Sequence, residues 1–113
     1  MKPANVLDLT RQLGREPDVM VACNIMTWEL GDLTKMVTYM KWHDDEDLRK
    51  GWGAEASLAI ASLLFQLRVV TELLEYDFDE LLDLGVEIVE ERKVEKDKKT
   101  GRHAYYVGDE KSG

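Results

Sequence analysis

Glu29 and Asp32 stand three residues apart in the stretch MTWELGDLTKMV, residues 26–37. On a helix, positions i and i+3 share a face, with about 5–6 Å between their Cβ atoms. Two carboxylates held that close repel unless something positive sits between them. A hard divalent cation meets that need, because Mg²⁺ binds through one or two carboxylates and completes its shell with water and phosphate oxygens. The same pair can instead lie at the edge of a helix face, turned to solvent or paired with Arg68. The elements that carry the pair decide between the two.

Helix signals dominate the chain before residue 93. Pro3 precedes ANVLDLTRQL, and Gly14 follows as a helix stop, so a short first helix packs through Val6, Leu7, Leu9 and Leu13. Pro17 opens a long helix that runs to about His43. Its apolar residues recur at three- and four-residue steps. A stripe through positions 22, 25, 29, 32, 36 and 40 passes directly through the two acids. HDDEDLRKGWG, residues 43–53, reads as a charged break with two glycines, in which the acids cap a short turn. From Leu58 to Val70 the next helix is apolar almost all round. Such a helix is surrounded by protein. A chain of 113 residues has few helices to surround it, so a partner subunit is expected to cover part of it.

Asp77 and Glu80 form a D-x-x-E start signal for a last helix with Phe78, Leu81, Leu82, Ile88 and Val89 as its apolar positions. After Lys93 the turn signal Lys99-Thr100-Gly101, flanked by Val94 and by Ala104 to Val107, predicts a short β-hairpin or an extended arm. The expected fold is therefore all-α: a four-helix bundle over residues 1–95, assembled at least as a dimer. Residues 96–113 form the C-terminal hairpin or arm, frayed over the last six.

A net charge of −8 disfavours a phosphate backbone as partner. Basic residues cluster only from Arg92 to Arg102. A helix followed by KVEKDKKTGRHAYYV looks like the recognition helix and wing of a DNA binder, but the helix itself, DFDELLDLGVEIVEE, is acidic. An anionic nucleotide would need a bridging divalent cation. The longest uncharged run, Ala56 to Leu67, has 12 residues, against about 20 for a membrane span. The N-terminus MKPANVLDLTRQ lacks a signal peptide's apolar core. The lone Cys23 permits no internal disulfide and has no histidine partner, so it reads as a buried thiol in a cytoplasmic protein.

Across residues 18–93 the helix order and apolar texture resemble the all-α nucleoside triphosphate pyrophosphohydrolases, the MazG-like superfamily. That family carries E-E-x-x-E on one helix and E-x-x-D on the next. Here WELGD, Trp28 to Asp32, stands at the first motif. LAIASLLFQL, Leu58 to Leu67, looks like the second, and LLEYDFDELLDLGVEIVEERK looks like the family's final turn and helix. The departures are specific. Trp28 replaces the first glutamate, Ala59 the glutamate of the second motif and Ser62 its aspartate. Glu55, one turn before Ala59, would offer a carboxylate displaced by about 6 Å along the axis.

In the family the carboxylates hold Mg²⁺ on a triphosphate, and an activated water releases a nucleoside monophosphate and pyrophosphate. The resemblance implies Mg²⁺ or Mn²⁺ at Glu29 and Asp32, with lesser parts for Glu55 and Ser62. It places phosphate contacts at Arg92 and Lys93, whose alternative role is to complement a helix C-terminus. No residue is singled out as a catalytic base. The expected protein is a homodimer or homotetramer that is either a weak pyrophosphohydrolase with a nucleotide ligand or a non-catalytic oligomer that keeps the fold and one cation. His43 beside Asp44 and Asp45 reads as a solvated cap, and Trp28, Trp42 and Trp52 as packing residues in the core or an interface.

Overall fold

The structure is a computed structural model that describes residues 5–100. Those residues are helical, with no strand among them: α1 is Val6–Gln12, α2 Val19–Trp42, α3 Glu46–Leu73 and α4 Phe78–Thr100. The chain divides into two compact units, one ending at Tyr76 and one beginning at Asp77.

Each helix of the first unit begins on a side chain that satisfies free backbone N–H groups. Asn5 accepts from Leu7 and Asp8, Asp18 from Val21 at 2.9 Å, and Asp45 from Leu48 at 3.1 Å. α1 stops at Gln12, and Gly14, just past the C-cap Leu13, has a φ of +90°, where only glycine is unstrained. α2 and α3 pack as an antiparallel helical hairpin joined by a three-residue turn, His43 to Asp45. At the turn end, Met40 reaches Gly53, where a Cβ would stand 3.6 Å from its terminal methyl. At the far end, Ala22 and Ile25 share a small cleft with Gln66 and Val69. α1 packs on α3 at this end, and Thr10 and Arg15 line the same cleft.

The core of this unit consists of Ala22 and Met36 from α2 with Ala56, Ala59 and Val69 from α3. Small residues at the contact let the two backbones approach closely. At the turn, Tyr39, His43 and Trp52 form an aromatic cluster, with Trp52 5.3 Å from Tyr39 and 5.2 Å from His43. Arg49 donates to the carbonyls of Met40 and His43, which satisfies the end of α2.

Several expectations are corrected. Residues 46–53 are not a break, because α3 runs unbroken through Gly51 and Gly53. A glycine inside a helix costs only about 1 kcal/mol, less than the packing of the whole helix returns. Cys23 is exposed rather than buried. Trp28 and Trp42 are more than 70% exposed in the single chain and so lie outside its core, whereas Trp52 packs against Tyr39 and His43. α3 is also long and apolar enough, by length and composition, to cross a membrane once two charged residues are tolerated in the window.

The second unit contains α4. Asp77 accepts from the backbone N–H of Glu80 at 2.9 Å, as the start signal predicts. The helix continues through residues 96–100, which the sequence assigned to a hairpin or arm. An i,i+4 pair, Lys93 with Asp97 at 3.7 Å, supports that extension. The rest of the predicted hairpin and the frayed tail lie outside the described residues.

Candidate functional site

The helix contact explains where the acids fall. Ala22, Met36 and Met40 mark the line on which α2 meets α3. Glu29 lies on that line, seven residues from both Ala22 and Met36, and is half-buried. Asp32 is one step off it and exposed, and Leu33 takes its place in the stripe. Among the described residues, neither acid makes a hydrogen bond or an ion pair. Arg68 instead meets Glu72, one turn along its own helix, at 3.4 Å.

The antiparallel register places the other residues. Met40 stands by Gly53 at one end and Ile25 shares a cleft with Gln66 at the other, so Glu29 falls level with residues 62–64. Ser62 is half-buried there, and Ala59 is buried one turn nearer the connecting turn. Glu55 is exposed and level with Val37, about 12 Å along the axis from Glu29. The structure therefore brings Glu29 and Ser62 to one level and leaves Glu55 apart from them. No group of three His, Cys, Asp or Glu among the described residues is arranged to hold a metal ion. One half-buried carboxylate, one exposed carboxylate and a hydroxyl amount to two charged ligands at most.

Arg92 and Lys93 belong to the second unit. They lie inside α4, not at its end, so Lys98 and Lys99 are the residues that complement the helix C-terminus. Lys93 is engaged by Asp97. The aromatic cluster of Tyr39, His43 and Trp52 was not expected from the sequence. Its only signal was the four-residue step from Tyr39 to His43, and the third member comes from across the turn.

The chain matches no family model, no curated protein and no solved structure.

Proposed function

We infer that this chain works through self-association, as a helical homo-oligomer related to the MazG-like proteins in helix order but not in catalytic machinery. The observation that carries this reading is the mismatch between core and surface. The first unit buries little beyond alanine, one methionine and one valine, while Leu30, Val37, Leu58, Ile60, Leu64 and Leu67 of the same two helices stand exposed. A helix that is apolar on most sides needs more neighbours than one hairpin supplies. Light scattering on the full chain tests the reading. A particle mass that is a multiple of 13.0 kDa is expected, and a monomer at all concentrations overturns it.

One observation favours a second reading. Glu29 occupies the helix contact with no partner among the described residues, as a ligand awaiting a cation would. Under this reading the oligomer is a weak Mg²⁺-dependent nucleoside triphosphate pyrophosphohydrolase, with Glu29 and Asp32 as its metal ligands. Pyrophosphate release from mixed nucleoside triphosphates, abolished in Glu29→Gln, is the expected result. Turnover in the variant equal to wild type sinks it.

A further inference from the structure

α3 ends without a residue that breaks helices. From Ala54 to Leu84 the chain holds neither glycine nor proline. The stop is nevertheless fully formed. Leu74 is the C-cap, and Glu75 follows it at φ +62°, in the left-handed region. The N–H of Glu75 donates to the carbonyl of Glu72 at 3.2 Å, and that of Tyr76 to the carbonyl of Thr71 at 2.9 Å. These are the paired bonds of a Schellman cap, in which glycine usually takes the left-handed position. Among the described residues Glu75 is the one non-glycine with a positive φ, and its side chain makes that conformation strained. Leu74, Glu75 and Tyr76 are all exposed, so burial of their side chains does not impose the strain. The turn also leaves donors without helical acceptors. Asp77 caps Glu80, yet among the described residues the N–H groups of Asp77 and Asp79 reach no backbone carbonyl. In an unbroken helix they would donate to Leu73 and Glu75.

Charge supplies the opposing force. No basic residue lies between Arg68 and Arg92, while Glu72, Glu75, Asp77, Asp79, Glu80 and Asp83 fall within residues 72–83. On an unbroken helix Glu72, Glu75, Asp79 and Asp83 follow one another at steps of three and four, so their carboxylates share one face and repel. Arg68, at 3.4 Å from Glu72, offsets the first of them. The break frees Glu75 and Asp79 from that spacing. It also puts Asp79 and Glu80 in the first turn of α4, where the helix dipole favours acids. We propose that the turn from Leu74 to Asp77 is a charge-held switch between two helices and one. Screening the acids lets Glu75 relax into the right-handed region, and α3 then runs on into α4 as a single helix from Glu46 to Thr100, about 80 Å long. The switch needs no second copy and stands apart from the self-association inferred above.

Nuclear magnetic resonance on the full chain tests the switch residue by residue. The Cα shift of residue 75 separates left-handed from right-handed backbone, and amide exchange reads protection at Asp79 and Glu80. The double variant Glu75→Ala, Asp77→Ala removes the central carboxylate and the cap together. It is expected to move residue 75 to a helical shift and to raise protection at Asp79 about tenfold or more. Glu80 stays protected, because the Tyr76 carbonyl replaces the Asp77 side chain as its acceptor. Glu75→Gly relieves the strain within the turn and is expected to leave Asp79 as in wild type. Wild type in about 1 M sodium chloride, where the screening length falls to roughly 3 Å, is expected to move toward the double variant at each reporter. A double variant that loses protection at Glu80 and gains none at Asp79 has lost a cap and nothing more, which overturns the proposal. A wild type that ignores salt overturns it too, because charge is then not what holds the break.

Discussion

Val69→Asp will abolish cooperative thermal unfolding of the first helical unit. Val69 is 1% exposed and is the largest side chain there that is fully buried. It sits where α3 meets the far end of α2, in a cleft shared with Thr10, Ala22, Ile25 and Gln66. The Thr10 hydroxyl is already committed to the carbonyl of Val6 at 2.8 Å. An introduced carboxylate exchanges water for a cleft lined by Ala22, Ile25 and Gln66, where Glu16 and Asp18 offset the one cation, Arg15. An uncompensated buried charge costs about 3–5 kcal/mol, against the roughly 5–15 kcal/mol of a whole domain. Val69→Ala keeps the site apolar and is expected to cost only about 2 kcal/mol, in line with large-to-small core changes. Far-UV circular dichroism against temperature reads both. A melt of Val69→Asp that coincides with wild type would remove Val69 from the core.

The second large effect concerns the position that the family resemblance assigns to a metal-binding glutamate. Ala59 is 5% exposed and lies in the contact with α2, one turn from the level of Glu29. Ala59→Glu restores the motif letter but places a second carboxylate in a contact built for a methyl group. Overpacking costs about 1–3 kcal/mol, and the charge adds a penalty of similar size. The expected result in urea is a midpoint shifted well below wild type, with Mg²⁺ making no difference. Recovery of the midpoint by Mg²⁺ would show instead that the hairpin can still close around a cation, which favours the hydrolase reading.

How far the sequence could be read depended on whether a signal was local. Asn5, Asp18, Asp45 and Asp77 begin their helices through side chains acting within three residues, and composition around them announces four helices. The glycines at 51 and 53 misled because their cost is local while the packing that outweighs it is not. At Gly53 the small residue admits Met40 from the other helix, which no local pattern records. Lys99 and Thr100 of the turn signal belong to α4 for a similar reason, since pairs such as Lys93–Asp97 sustain the helix up to them.

The candidate site was legible as a stripe, not as a register. Position 29 falls on the contact line by helical period alone. Which of Asp32 and Leu33 accompanies it depends on a phase difference of one residue, fixed only when α3 is in place. The exposure of Cys23 is a matter of the same phase: it is apolar enough for either side of α2, and the partner helix chose the other one.

The three-residue turn between α2 and α3 has a kinetic consequence. It makes the contacts of the hairpin near-neighbour in sequence at one end and progressively more distant toward the other, so closure can begin at the turn and proceed like a zipper. Chains rich in local contacts fold in microseconds to milliseconds. The aromatic cluster of Tyr39, His43 and Trp52 stands at the first teeth of that zipper, and Val69, with α1, at the last. The self-association inferred above would then start from a hairpin that is already closed, at a rate set by protein concentration.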